Sequence, residues 1–315
     1  MPDTAVHMSF GEEVRAALAP EIRQVLDLPA YRIALLGPDP WFVHHFWRPK
    51  NTNRGTRMHT TRTGEFLLAL AIAAKDAPDA AGRNTLFSYL SGFLCHYSLD
   101  ASAHPYIICR TAGPGARKGS HRAFEHTLDI LELRRLGLWG SRHAVTETLM
   151  PRLRLPRSMQ AGLDEAYRKV YGWQHCWKDL ARLYPFFRFL YRLMENPHGI
   201  LSFLARHSRS SALKSLAYPE SWFAEEEAEN RQHHPWTHSH DSSLICTDSF
   251  PDLRKKAAVR AEFMIQAAWD FLMHPDVHTP ELLAEAFGND SYYSGLAADD
   301  PRNHAVPSMA PAPEK

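Results

Sequence analysis

A chain of 315 residues, 44% apolar and 23% charged, is long enough to bury a sizeable core and has the balance of a globular protein. Its 36 Lys and Arg against 35 Asp and Glu leave a net charge of +1, so nothing drives the whole chain toward nucleic acid, and no specific nucleic-acid binding is predicted. Four cysteines without a CxxC pair read as reduced core thiols; the 19 histidines are the outlier.

The opening MPDTAVHMSFGEEV has neither a basic leader nor an apolar run, so no secretory signal is read and a cytoplasmic location is expected. From Met8 to Leu28, Val14, Leu18, Ile22, Val25 and Leu26 step at helical spacing, with Pro20 splitting or kinking the helix. Tyr31 to Leu36 is a short apolar helix stopped by Gly37-Pro38-Asp39-Pro40. After His44, His45 and Trp47, a polar loop runs from Lys50 to Arg57, and Thr63 to Ala74 is helical.

Asn84 to Cys109 then forms the expected central helix, with no Lys, Arg or Glu and the single acid Asp100, closed by His104-Pro105. Beyond a Gly/Pro loop, Ser120 caps a helix from His121 to Leu136. Further helices are predicted at Arg157 to Tyr171, Trp173 to Met194, Gly199 to Ala217, Pro251 to Met273 and Pro280 to Phe287. Tyr218 to Phe250 is acidic, then histidine-rich, and has no clear period; 297–315 has a disordered composition. No convincing strand is seen. The fold class is all-α, with one catalytic domain over 1–290, its candidate ligands mostly in 7–129 and a helical C-terminal half over 157–290.

The chemistry starts from Asp100. A buried carboxylate costs several kcal/mol, roughly, unless paired or bound to metal, and its own helix holds no cation near it. His96 and Asp100 stack four residues apart, with His104 just beyond. In HRAFEHTLD, His121, Glu125 and Asp129 again share a helix face, the spacing by which two side chains reach one ion. Asp39 lies on a Pro-rigidified turn, His59 lies in an otherwise cationic loop directly before a helix, with His44 or His45 as its alternative, and His7 precedes the first helix. Imidazole and carboxylate without thiolate suit zinc, or less commonly iron or manganese. Each His-x3-acid pair is a weak motif by itself, since a lone His on an apolar helix is more often a hydrogen-bonded core residue. Two such pairs on consecutive helices, with His104 between, favour a metal.

These residues resemble the zinc-dependent phospholipase C family, which includes bacterial phosphatidylcholine-preferring phospholipases C and alpha-toxin. GFLCHYSLD...H and HRAFEHTLD match its HYxxD...H and H-x3-E-x3-D signature, and HMSFGEE, LLGPDPWF and MHTTRTGEF resemble its N-terminal half. The resemblance implies a multi-helical bundle around a polynuclear zinc site. Asp39, His59, His96 and Asp100 would hold one zinc and His104, His121 and Glu125 a second, while His7, with Asp100 as bridge, would mark a third. Secreted members complete that third position with an N-terminal Trp, and no Trp precedes His7 here. The Asp100–His104 gap is also shorter than in toxin-like members, which asks for a tight turn at Pro105.

Asp39 would be the general base, and Asp129 an acceptor that orients a ligating imidazole. The implied reaction cleaves phospholipid to diacylglycerol and a phosphorylated head group. Alternatives are hydrolysis of soluble or nucleic-acid phosphodiesters, an architecture shared with zinc nucleases, or a non-catalytic metal-binding module for lipid or protein. Lys178 to Lys214 interleaves seven Lys or Arg with aromatics, which suits either peripheral membrane contact or packing on the core with Arg at the rim. His233, His234, His238 and His240 mark a loop near the site mouth or a surface metal trap.

Overall fold

The computed structural model describes residues 4–44, 53–112, 120–141, 143–150, 152–195, 203–204, 207 and 225–303. Its helices are α1 (Thr4–Ala17), α2 (Pro20–Val25), α3 (Leu28–Ala34), α4 (Arg54–Thr60), α5 (Thr63–Lys75), α6 (Ala80–Thr111), α7 (Ser120–Arg135), α8 (Gln160–Tyr171), α9 (Cys176–Met194), α10 (Glu225–Glu229), α11 (Phe250–Met273) and α12 (Pro280–Phe287). The all-α class holds, with one addition. A small antiparallel hairpin, β1 (Trp236–His238) and β2 (Asp241–Cys246), occupies the histidine-rich segment where no strand was expected. Its pairing shifts register between Thr237 and His238, and a two-residue turn at Ser239-His240 leaves too short an alternation to read.

α6 is the axis. From Leu86 to Ala101 every side chain is buried, because α3, α5 and α11 pack around it. Polar side chains on α6 bond to the helices that enclose it. Ser98 Oγ donates to the Ala257 carbonyl of α11 at 2.8 Å, and Ser88 Oγ accepts from the Asp27 N–H at the start of α3. Asp27 in turn caps α3 by accepting from Ala30 N, and Ser249 with Asp252 forms a capping box on α11.

The expected stop at Pro105 does not occur. α6 runs on to Thr111 with Pro105 inside it, so His104 sits one turn beyond Asp100 on the same helix and no tight turn is needed. Proline removes the N–H that would bond the Ala101 carbonyl. That carbonyl is met from outside by Gly295, whose left-handed backbone (φ +64°) comes so close that a Cβ there would lie 2.4 Å from the Ala101 oxygen.

Other boundaries shift too. The first predicted helix resolves into α1 and α2, separated before Pro20; His7 lies inside α1 rather than before it, and His59 lies within α4 rather than in a loop. His45, Trp47, the 113–119 loop and most of the predicted 199–217 helix lie outside the described residues. Of the tail expected to be disordered, Ala297 bridges Asp290 and Pro301–Asn303 forms a helical turn; 304–315 lie outside the described residues.

Glu132 on α7 ties three helices together: it accepts from Ser9 of α1, bonds Arg135 at 2.6 and 2.8 Å, and faces Arg254 of α11 at 3.4 Å. Burial alone would raise its carboxyl, but Arg135, Arg254 and Ser9 outweigh burial and hold it below the usual glutamate range. A depressed carboxyl stabilises above its unfolded-state pKa and loses that contribution as pH falls through the folded one. Glu132→Gln should therefore cost about 1–2 kcal/mol at neutral pH. The gap between variant and parent melting curves should close as pH drops below the glutamate range; a gap that persists in acid would contradict this.

Candidate metal centre

The site is assembled from five segments that the packing around α6 brings together. α6 supplies His96, Asp100 and His104, all fully buried and one turn apart. The turn after α3 supplies Asp39, α4 supplies His59 and α1 supplies His7. α7 supplies His121 and Glu125 from the other side.

Backbone carbonyls orient three of the imidazoles. Nδ1 donates to the Leu35 carbonyl in His96 (3.0 Å), to the Gly55 carbonyl in His59 (2.7 Å) and to the Tyr292 carbonyl in His104 (2.8 Å). A carbonyl only accepts, so Nδ1 carries the proton in each ring and, in the neutral form, Nε2 is left as a lone pair. Those Nε2 atoms face carboxylate oxygens. His96 Nε2 lies 3.1 Å from Asp100 Oδ2 and 3.6 Å from Asp39 Oδ1, and His59 Nε2 lies 3.4 Å from Asp39 Oδ1 and 3.7 Å from Asp100 Oδ2. On the other Asp100 oxygen, His7 Nε2 lies at 3.1 Å, while its ring stacks on His96 at 4.0 Å. Beyond them, Glu125 Oε1 sits 2.9 Å from His121 Nε2 and 3.7 Å from His104 Nε2, with the two rings stacked at 5.6 Å.

Several of these buried atoms lack any hydrogen bond: His7 Nε2, Asp39 Oδ1, His96 Nε2, His104 Nε2 and both oxygens of Asp100. Lone pairs that converge without a donor ask for a cation. The spacing fits one. Donors about 2.0–2.2 Å from a tetrahedral zinc lie roughly 3.3 Å from one another, close to the separations above. Three groups have ligand atoms within 4.8 Å of one another: His7, His96 and Asp100; Asp39, His59 and His96; and His104, His121 and Glu125. The donors are nitrogen and oxygen only, a set that zinc accepts.

The electrostatics agree with this geometry. Burial would raise the Asp100 carboxyl, yet His96, His104 and His7 hold it well below the usual carboxylate range. Burial opposes charge on His96, but Asp100 and Asp39 outweigh it and draw its pKa up. His7, His104 and His121 are pushed down, chiefly by burial, which keeps their imidazoles neutral, the form that ligates metal.

Gly37 is required by this packing. Its backbone is left-handed (φ +50°), and a Cβ on it would sit 2.3 Å from the His96 ring. Gly37→Ala is expected to displace His96 and weaken zinc affinity about 10–100-fold in a competition titration with a chromogenic chelator. An unchanged affinity would show that the ring has room to move.

The structure brings together all eight expected ligands and shows what Asp129 holds on the backbone. Its oxygens accept from the backbone N–H groups of Ala5 (3.0 Å) and Val6 (2.9 Å), so it holds the start of α1, and thereby His7. His44, the alternative to His59, points instead to Asp179 at 3.7 Å.

One part of the site was not anticipated: the strap 288–297. Asn289 accepts from Gly64 N–H at the start of α5, Asp290 pairs with Arg260 at 2.6 Å, and Tyr292 donates its N–H to the His59 carbonyl at 2.9 Å. The Tyr293 ring stacks on His59 and meets His104 edge-on at 5.3 Å, so it lies between two of the ligand groups. The strap reaches the imidazoles through the Tyr292 main chain and the Tyr293 ring. In the sequence it shows only as a Tyr pair in a Gly/Asn/Asp/Ser-rich loop.

Residues 6–177 match the family model described as zinc-dependent phospholipase C. The chain belongs to that family. No curated protein and no solved structure matches it. The matched span contains all eight candidate ligands, whereas α9 and the strap fall almost wholly beyond it. The family supports a zinc-dependent hydrolase of the phospholipase C kind. Among the described residues, no helix is long and apolar enough to cross a membrane.

Proposed function

We propose that the chain hydrolyses a phospholipid, giving diacylglycerol and a phosphorylated head group. In this reading Asp39, His59, His96 and Asp100 hold one zinc, His104, His121 and Glu125 hold another, and His7 with Asp100 marks a third position. The observation that carries it is the convergence of buried, unpartnered His7, His96, His104, Asp39 and Asp100 atoms at zinc-like spacing. Zinc in such a site lowers the pKa of water toward about 7 and offsets phosphodiester charge.

The chain's own groups supply the rest. Asp39, a buried carboxylate, takes the proton from the attacking water as general base. The water oxygen bonds to phosphorus as the bond to the glycerol oxygen breaks, and the proton taken by Asp39 passes to that leaving oxygen. His59, His96 and His104 keep their orientation through the carbonyls of Gly55, Leu35 and Tyr292, so little reorganisation accompanies the step. We take 1–290 as one catalytic domain, supported by a single core cluster that runs from Ala5 to Tyr292.

The test offers the zinc-loaded protein phosphatidylcholine in mixed micelles, a single-stranded oligonucleotide and a chromogenic phosphodiester. Diacylglycerol release that a chelator abolishes and added zinc restores is the expected result. Cleavage of the oligonucleotide alone would replace the phospholipid with a nucleic-acid substrate. Stoichiometric zinc without hydrolysis of any of the three would leave a structural metal site.

A further inference from the structure

α9 carries two apolar stripes, and only one is covered. Leu180, Leu183, Tyr184, Phe187 and Tyr191 face the core. Opposite them, Phe186, Phe189 and Leu193 are 40%, 53% and 53% exposed. Lys178 and Arg182 extend the same stripe by a further two turns toward the helix start and are exposed as well. The two acids of this helix and its end turn away from that face. Asp179 pairs with Arg54 at 3.1 Å, and Glu195 accepts from the backbone of Val145 and the hydroxyl of Thr146. Arg188 and Arg192 are also turned aside, to the Met150 carbonyl and to Glu147. The outward stripe is therefore aromatic and cationic, with no carboxylate among its described residues.

Both ends of this helix touch elements that carry candidate ligands. Asp179 bonds Arg54 in the first turn of α4, the helix of His59. Met194 receives Arg122, the neighbour of His121, at 3.9 Å. α9 therefore lies along the edge of the metal centre with its bare stripe outward. Contiguous exposed apolar residues mark interaction surfaces, and a basic amphipathic stripe suits an anionic lipid interface.

We propose that the Lys178–Leu193 face of α9 docks the protein on an anionic phospholipid bilayer beside the metal centre. The docking deepens the phospholipid reading, yet it is a binding property that can be measured without turnover. Phe186, Phe189 and Leu193 enter the acyl boundary, while Lys178 and Arg182 meet the head groups.

The test is sedimentation of the zinc-loaded full chain with vesicles of phosphatidylcholine, with and without phosphatidylglycerol. Binding should require phosphatidylglycerol and weaken as salt rises. F186S/F189S/L193S together should lower partition at least about 10-fold, and K178E/R182E roughly 10- to 30-fold. Phe263→Ser, on the exposed face of α11, should change nothing. Zinc content and circular dichroism confirm that each variant is folded. No vesicle binding, equal loss with Phe263→Ser, or a triple variant that instead converts a dimer to a monomer by gel filtration would each overturn the proposal. Loss of phospholipid hydrolysis with vesicle binding intact would count against the enzymatic reading alone.

Discussion

Asp100→Ala is expected to leave the purified protein with little zinc and to lower its stability even without metal. Asp100 is fully buried, with one oxygen toward His7 and His104 and the other toward His96 and His59. Removing it deletes the one carboxylate that faces both the His7 side and the Asp39 side of the centre. It also leaves His96, whose pKa Asp100 helps to raise, without its nearest counter-charge. Breaking a buried pair on one side costs about 3–5 kcal/mol, because an uncompensated charge or lone pair remains. Zinc affinity should fall by more than the roughly 10–100-fold typical of groups that only support a ligand. Metal content after gel filtration and melting curves with and without chelator measure both effects. Full zinc occupancy in Asp100→Ala would remove Asp100 from the ligand set.

The second large effect is expected from Asp39→Asn. The amide keeps the size of the carboxylate but cannot take a proton from water, so kcat should fall about 10²- to 10⁴-fold with KM little changed. Zinc at His104, His121 and Glu125 should stay, because that group shares no ligand with Asp39. Zinc analysis beside steady-state kinetics separates the outcomes. Near-parental kcat in Asp39→Asn would pass the role of base to another group, and complete loss of zinc would make Asp39 structural first.

The ligands were legible because each announces itself in side-chain chemistry. His96-Asp100 and His121-Glu125 repeat at four residues, and Asp100 alone in an apolar helix needed a partner. What supports those ligands was not legible, because it is mostly main chain. The carbonyls of Leu35, Gly55 and Tyr292 belong to residues whose identities say nothing about an imidazole. Pro105 misled for the reverse reason: a strong local rule for ending helices yielded to packing that encloses α6 on several sides. The hold of Asp129 on the Ala5 and Val6 amides was not legible either, since those donors lie 124 and 123 residues away in sequence.

The bond from His104 to the Tyr292 carbonyl spans 188 residues. During synthesis from the N-terminus, every proposed zinc ligand through Glu125 exists long before the group that orients His104 does. The ring of His104 gains its fixed direction only after residue 292 has left the ribosome and the strap has settled across α6, a closure of high contact order. Complete metal loading is thereby tied to completion of the fold. A chain that ends before 288 would carry all eight ligands, yet its second group would lack that orienting bond.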